Sequence, residues 1–170
     1  MRDDDSNSRF FDINLGGGTL LDLGVYALAA VRRFIPYSDE DIWSNVLLSS
    51  SGVDKHENIM FMNKDGQMAN LSLSLTSQMP KRAIISGEKG YIEIENHLRP
   101  DRAVVVNKKT GESREITAGD ASRAIVYEIE AMEDAVRSGN SSKLCIDKTR
   151  DVMTAMTSLR RDWGVVYPTE

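Results

Sequence analysis

The 170-residue chain has little of several features that identify a protein class. Cys145 is its only cysteine, which excludes an internal disulfide and a multi-cysteine metal site. The two histidines, His56 and His97, fall in separate predicted turns, and neither has a second ligand at metal spacing. We therefore expect no metal ion. A lone cysteine also fits a reducing compartment, so we expect a cytoplasmic protein.

An excess of positive charge is also missing. The chain carries 21 basic and 26 acidic residues, for a formal net charge of -5, and the two signs are interspersed. No positive field is available to follow a phosphate backbone, so nucleic acid is not an expected partner. The first residues are acidic, unlike a signal peptide, and no later apolar run approaches about 20 residues. We expect no membrane segment.

The length suits one domain covering residues 1–170. Apolar periodicity predicts a helix over 18–33 that ends before Pro36. Short β-rich runs separated by glycine turns follow over 42–117, and then two helices, 122–138 before Gly139 and 147–163 before Gly164. The order helix, strands, helices predicts an α+β domain.

The strands are predicted to form one largely antiparallel sheet. Three hairpins are expected, at Asp65-Gly66, at 87–90 and at Thr110-Gly111. The clearest strand, 68–76, places three leucines on one face and three hydroxyl side chains on the other: Leu71, Leu73, Leu75 and Ser72, Ser74, Thr76. Helices can cover the leucine face, whereas the mildly polar face has no predicted layer and is expected to pair two subunits.

The most informative segment begins at three consecutive glycines, Gly16, Gly17 and Gly18, just before the first helix. Such a turn lets the backbone approach a bound group and leaves N–H groups free at the positive end of the helix dipole. The alternative is a loop that only needs positive φ angles. Asp22 and Tyr26 follow, four residues apart, and so share one helix face. They are suited to move a proton, or they form a simple surface hydrogen bond.

Three further residues near this segment have two interpretations each. Gly24 costs about 1 kcal/mol inside a helix relative to alanine, so either a ligand or a neighbouring element packs tightly there. Arg9 and Asn14 precede the glycine turn. They could contact a substrate or a cofactor phosphate, or they could serve as loop hydrogen-bonding residues.

The string from Gly16 to Tyr26 resembles the Asp-x-x-x-Tyr segment of the Gfo/Idh/MocA oxidoreductases, particularly the branch of dihydrodiol dehydrogenase and glucose-fructose oxidoreductase. Segments 51–54, 64–66, 85–92 and 163–168 also resemble the carboxy-terminal domain of that family, so the resemblance covers almost the whole chain. It implies an open, largely antiparallel mixed sheet with helices on one face, like the C-terminal domain of glyceraldehyde-3-phosphate dehydrogenase.

The resemblance also implies a function, an NAD(P)-dependent oxidation or reduction of a sugar, polyol or related hydroxyl or carbonyl compound. In the family, the Asp and Tyr act with a lysine from a Glu-Lys-Pro segment of a preceding Rossmann domain, which also holds most of NAD or NADP. Carried over to this chain, the implied residues are catalytic Asp22 and Tyr26, cofactor-binding Gly17, Gly18 and Gly24, and substrate-binding Arg9 and Asn14.

The Rossmann domain and its Glu-Lys-Pro lysine have no counterpart in these 170 residues. We therefore expect the chain to be the C-terminal substrate-binding and oligomerisation domain of a larger enzyme, and to be inactive in isolation. The alternative is a non-catalytic sugar-sensing or oligomerisation module in which Asp22 and Tyr26 are relics. In either case a homodimer or higher homo-oligomer is expected through the open sheet face.

Overall fold

The computed structural model describes residues 8–36 and 41–168. The packing of the chain divides it into two compact units. Unit 1 comprises Met1–Met79 and Asp147–Glu170, and unit 2 comprises Pro80–Ile146. The candidate site residues, which all lie between positions 9 and 26, belong to unit 1.

The described residues form three α-helices and seven strands, with short helical turns at several of their ends. In chain order, the α-helices and strands are α1 Val25–Phe34, β1 Ile42–Leu48, β2 Asp54–Met62, β3 Met68–Ser74, β4 Arg82–Gly87, β5 Gly90–Glu95, β6 Arg102–Asn107, β7 Ser113–Thr117, α2 Ala124–Ser138 and α3 Ile146–Trp163. The short 3₁₀ helices are Arg9–Phe11, Ile13–Leu15, Ala121–Arg123 and Ser142–Leu144, and Leu20–Gly24 forms a π-helical turn.

All described strand pairs are antiparallel, and the predicted α+β fold class is confirmed. The three predicted hairpins are also present. The prediction of one continuous sheet is wrong, because the strands form two hydrogen-bonded ladders, β1-β2-β3 and β4-β5-β6-β7. Bends follow β3, and the linking segment contains Pro80, which has no N–H to donate to a ladder.

The core of unit 1 lies between its sheet and its helices. Ile59 and Phe61 of β2 are buried against Leu28 of α1 and against Val152 and Leu159 of α3. The leucine face of β3 contributes to the same interior, with Leu71 beside this cluster and Leu75 in a second cluster with Phe11 and Val53. The prediction that helices cover the leucine face is confirmed for this sheet.

The opposite face of the same sheet is exposed and more apolar than the sequence analysis predicted. Trp43 and Met60 are directly opposite each other on β1 and β2, and each is about half exposed. Met62 and Met68 form the next exposed pair along the sheet. Ser72 of β3 is exposed on this face. The apolar side chains of the face come mainly from β1 and β2, where the alternation of apolar and polar residues is less clear in the sequence.

One expectation about a sequence segment is corrected by the structure, and another meets a single weak exception. His56 lies in β2 and not in a turn, with its Nε2 atom 2.8 Å from the Thr76 hydroxyl. Among the described residues, Ile13–Phe34 is long and apolar enough to span a membrane, with a mean hydropathy of 1.2. Leu20 and Leu28 of this segment lie in the core, and a buried core helix passes the same test, so it is weak evidence for a membrane span.

Candidate functional site

The glycine turn is tied into its own loop through backbone hydrogen bonds. The N–H of Gly17 donates to the carbonyl of Asp12 at 2.9 Å, and that of Gly18 donates to the carbonyl of Phe10 at 2.9 Å. The Gly16 N–H points to the carbonyl of Ile13 at 3.5 Å. The prediction that these N–H groups are free for an anion is therefore wrong.

The space around the glycines explains why side chains are absent there. A Cβ atom on Gly17 would lie 2.7 Å from the carbonyl oxygen of Phe10. Gly18 has a φ angle of +119°, and a Cβ there would overlap the Asp54 carboxylate. The hydroxyl of Tyr167 donates to the Gly17 carbonyl at 2.6 Å, so the end of the described chain also holds this turn.

The segment after the glycines is a π-helical turn and not the start of the predicted α-helix. In this turn, Leu20–Gly24, the N–H of Val25 donates to the carbonyl of Leu20, five residues earlier. The prediction of one regular helix over 18–33 is wrong for its first part, whereas α1 continues to Phe34. Single π turns are rare overall, but those that occur are often found at functional sites. This one has Asp22 at its centre.

Among the predicted site residues, Arg9 and Asp22 lie near each other and Tyr26 lies at the surface. The Arg9 guanidinium is 3.9 Å from Asp22 Oδ1 and also stacks on the ring of Phe10, 4.0 Å from its centroid. The Asp22 side chain is 24% exposed, and Tyr26 is 48% exposed. The structure therefore brings Arg9 to Asp22 and leaves the Asp22 carboxylate and the Tyr26 phenol accessible to a small molecule.

Two other predicted residues have structural contacts that account for them. Asn14 donates to Asp12 Oδ1 through its backbone N–H at 2.8 Å and through its side-chain amide at 3.1 Å, which is the loop hydrogen-bonding alternative. Gly24 is buried, and a Cβ there would lie 2.7 Å from a methyl carbon of Leu20 and 3.2 Å from Glu57 Oε1. Tight packing against a neighbouring element therefore explains this glycine.

Two buried carboxyl groups of β2 lie beneath the π turn, and the sequence analysis assigned them no role. Asp54 Oδ2 accepts a hydrogen bond from Leu20 N–H at 2.6 Å, and the Thr19 hydroxyl donates to the Asp54 carbonyl at 3.2 Å. Burial raises the pKa of Asp54, and burial together with the charge of Asp54 raises the pKa of Glu57 to about 9. The sequence did contain a signal for Glu57, because the alternation of β2 places it on the same buried face as Ile59 and Phe61.

No group of three or more His, Cys, Asp or Glu side chains able to hold a metal ion occurs in the part of the chain that the structure describes. The side chains that the structure brings to the site are an accessible phenol, a partly exposed carboxylate and a nearby guanidinium. A phenol can donate or accept a hydrogen bond, and the other two groups can hydrogen-bond hydroxyl groups of a ligand.

Comparisons with known proteins identify the family of the chain. The family described as GFO/IDH/MocA C-terminal domain matches residues 1–93. A scyllo-inositol 2-dehydrogenase (NADP(+)) of Bacillus subtilis is 31% identical over 94% of this chain and 48% of its own length. A trans-1,2-dihydrobenzene-1,2-diol dehydrogenase of Xenopus laevis is 27% identical over 94% of this chain and 51% of its own length.

Two solved structures share the fold. One is a 3-ketoreductase from Actinomadura kijaniata in complex with NADP and TDP-benzene, with a TM-score of 0.72 and 18% identity over 91% of this chain and 48% of that one. The other is an aldose-aldose oxidoreductase from Caulobacter crescentus complexed with glycerol, with a TM-score of 0.71 and 18% identity over 95% of this chain and 48% of that one. The chain thus spans about half the length of the relatives that it matches. It belongs to the Gfo/Idh/MocA family and carries the C-terminal domain of that family.

Proposed function

We propose that residues 1–170 act as one substrate-binding and catalytic-half domain of an NAD(P)-dependent oxidoreductase whose substrate is a sugar, polyol or related hydroxyl or carbonyl compound. The observation that carries the proposal is the accessible Tyr26 phenol next to a π turn that holds Asp22 close to Arg9. The names of the relatives support the substrate class, because they include an inositol dehydrogenase and dihydrodiol dehydrogenases.

Each side chain has a specific part in this chemistry. Oxidation of a hydroxyl group to a carbonyl releases a hydride from carbon and a proton from oxygen, and NAD(P) supplies the hydride acceptor. In the oxidation the phenolate oxygen of Tyr26 takes the proton of the substrate hydroxyl and becomes O–H, and in the reverse direction this O–H protonates the carbonyl oxygen. Asp22 accepts hydrogen bonds from neighbouring substrate hydroxyls, and Arg9 donates to them.

The described residues do not fit the pyrophosphate of the cofactor. The N–H groups of Gly16, Gly17 and Gly18 already donate within the loop, and the buried side of Gly24 faces Leu20 and Glu57. A Rossmann domain elsewhere in the full-length protein would therefore have to hold that part of NAD(P). The assignment of Gly17, Gly18 and Gly24 as direct cofactor contacts remains a prediction for the intact enzyme.

The test uses the full-length protein with a panel of polyols, sugars and dihydrodiols, and follows the absorbance of the reduced nicotinamide. Tyr26→Phe should lower kcat about a hundredfold with little change in KM, because a positioned acid or base contributes at least that much. Tyr91→Phe is the matched control, since Tyr91 is 42% exposed and belongs to unit 2. Equal activity of wild type and Tyr26→Phe would contradict the catalytic role of Tyr26. A wild type that is inactive with every compound of the panel would favour the non-catalytic sugar-sensing or oligomerisation module instead.

We also propose a homodimer or higher homo-oligomer through the exposed sheet face of Trp43, Met60, Met62 and Met68, whose apolar side chains are each 41% to 68% exposed. Met60 is on the central strand, so Met60→Arg should dissociate the oligomer in sedimentation velocity. Glu128→Arg on α2 is the control. Ser74 is unsuitable for this test because its hydroxyl accepts from the N–H groups of Thr76 and Ser77. A monomeric wild type would contradict the proposal.

A cytoplasmic location completes the proposed assignment. Its support is the single Cys145 among 170 residues, which fits a reducing compartment. Fractionation of cells that express the full-length protein at its natural level, with immunodetection, would test it. Recovery in an extracytoplasmic fraction would contradict it.

A further inference from the structure

The two buried carboxyl groups of β2 contact opposite ends of the π turn. At its start, Asp54 Oδ2 accepts from the N–H of Leu20 at 2.6 Å. At its end, Glu57 Oε1 lies 3.2 Å from the place where a Cβ on Gly24 would be. Asp22 is midway between these two contact points. The strand therefore bonds the turn at one end and lies close to it at the other, on either side of the residue that the proposed function requires.

The hydrogen bonds of the pair require a shared proton. Asp54 is fully buried and Glu57 is 2% exposed. Among the described residues no N–H or hydroxyl donor reaches Asp54 Oδ1 or either Glu57 oxygen. Two ionised carboxylates at this depth would repel each other and would lack hydrogen-bond donors, which is strongly unfavourable. One proton on Glu57 removes the second charge and supplies the missing donor to Asp54.

The two carboxyl groups differ in how well their surroundings stabilise a negative charge. Asp54 already accepts from a backbone N–H at the beginning of a helical segment, where the helix dipole favours an anion. Glu57 has no such donor in the described chain. The ionised member is therefore Asp54, and the neutral acid is Glu57.

We propose that neutral Glu57 donates a hydrogen bond to ionised Asp54, and that this pair is a positioning device that holds the π turn and thereby places Asp22. The catalytic part of this inference rests on the proposed function. A π turn has less favourable hydrogen-bond geometry than an α-helix and persists where surrounding contacts select it. The Leu20 N–H would otherwise be one of the unsatisfied donors at a helix start. Neither carboxyl group touches the substrate in this scheme.

The experiment compares two substitutions of Glu57 in the full-length protein. Glu57→Gln keeps a neutral donor of similar size, so kcat and KM should stay within about twofold of wild type. Glu57→Leu fills the same space without a donor, so kcat should fall tenfold or more at nearly constant KM, since small displacements of a reacting group have effects of that order. A Glu57→Gln variant as impaired as Glu57→Leu would overturn the proposal.

Two measurements do not depend on enzyme activity, and they separate this inference from the proposed function. Wild type at neutral pH should show the infrared band of a protonated carboxylic acid, and Glu57→Gln should lack it. Amide hydrogen exchange at Leu20 and Val25 should be as slow in Glu57→Gln as in wild type and faster in Glu57→Leu. If Glu57→Leu does not fold, the infrared band and Glu57→Gln still decide the question. A wild type without that band contradicts the shared proton, whatever its activity.

Discussion

The two units of the chain are stabilised in different ways. Every buried residue of the described chain lies in unit 1, where β2 packs against α1 and α3. Between residues 80 and 146 no side chain is buried. The predicted site residues lie in the unit with the core, which agrees with the general need of a functional site for rigid support.

Unit 2 has instead a strand ladder with partly buried apolar side chains, and its ion pairs lie at the surface. Arg102 contacts Glu95 at 3.3 Å and Glu115 at 2.7 Å, and all three side chains are 44% to 69% exposed. Such exposed pairs contribute little to stability. Helix α2 also exposes an apolar stripe made of Ile125, Ile129, Met132 and Val136. The comparison suggests that substitutions will have larger effects in unit 1 than matched ones in unit 2.

The largest expected difference comes from truncating one apolar side chain in each sheet. Phe61→Ala should lower the free energy of unfolding by about 3–5 kcal/mol, because Phe61 is 1% exposed and its removal leaves a cavity. Ile92→Ala on the central part of the second sheet should cost less than half as much, since Ile92 is only partly buried. Urea unfolding measures both. Equal losses would remove the contrast between the units.

The next effect is the pH dependence of the buried acid in unit 1. Glu57 has a pKa of about 9 in the folded chain against 4.5 when unfolded, so the folded state binds one more proton between these values. The stability that this proton contributes is present below pH 4.5 and is lost as the pH rises through 9. The free energy of unfolding of Glu57→Gln should therefore rise relative to that of wild type as the pH increases from 6 to 8. The expected rise is on the order of 2–3 kcal/mol, at roughly 1.4 kcal/mol per pH unit.

The control for this titration is Asn58→Gln, a change at the neighbouring exposed position that adds no ionisable group. Its stability difference from wild type should be constant over the same range. Chemical unfolding at several pH values provides the comparison. A constant difference for Glu57→Gln as well would show that Glu57 is ionised in the folded chain.

A smaller difference is expected between two glycines with positive φ. Gly18→Ala should cost about 1–2 kcal/mol more than Gly111→Ala, because a Cβ at Gly18 overlaps Asp54 whereas the space around Gly111 is open. Both positions have a positive φ, and the backbone cost of a side chain is larger at +119° in Gly18 than at +72° in Gly111, so it adds to the difference. Thermal unfolding of the two variants measures the difference. Equal midpoints would mean that Asp54 moves aside without cost.

The smallest expected effect is the difference in stability loss between removing one ion pair from unit 1 and removing one from unit 2. Arg32 of α1 contacts Asp151 of α3 at 2.6 Å, with side chains that are 19% and 32% exposed. Arg32→Met should lower the stability by about 1 kcal/mol, since this pair connects two core helices and is partly shielded from water. Arg102→Met in unit 2 should shift the midpoint by less than the error of the measurement. The reverse order would show that the exposed network is cooperative.

The features that sequence could predict are those with local signals. Asp65-Gly66 predicted a hairpin because its turn needs a positive φ, and Gly66 has a φ angle of +73°. Gly139 and Gly164 predicted helix ends for the same reason, and both have a φ angle of +71°. The order of helix, strands and helices predicted the α+β class, which the strand pairing confirms, and the resemblance added the family, which the comparisons confirm.

The features that escaped prediction depend on contacts between distant residues. The Leu20 to Asp54 hydrogen bond joins positions 34 residues apart, and nothing local in either segment specifies it. Consequently the π turn could not be foreseen. The N–H groups of the three glycines donate to carbonyls of the preceding loop, whose conformation has no clear sequence signal. Glu57 was assigned no role because a carboxyl group in phase with buried residues is expected to point outward unless a partner is known.

The hydrogen bond from Tyr167 to Gly17 has a consequence for biosynthesis. It joins residues 150 positions apart, so the glycine turn lacks one of its restraints until Tyr167 has been made. At a translation rate of about 5–20 residues per second, that interval is roughly 8–30 s. During this time a nascent chain already contains Asp22 and Tyr26 but lacks this restraint on the turn that precedes them. Premature termination before Tyr167 would leave β1, β2 and β3 complete and this restraint missing.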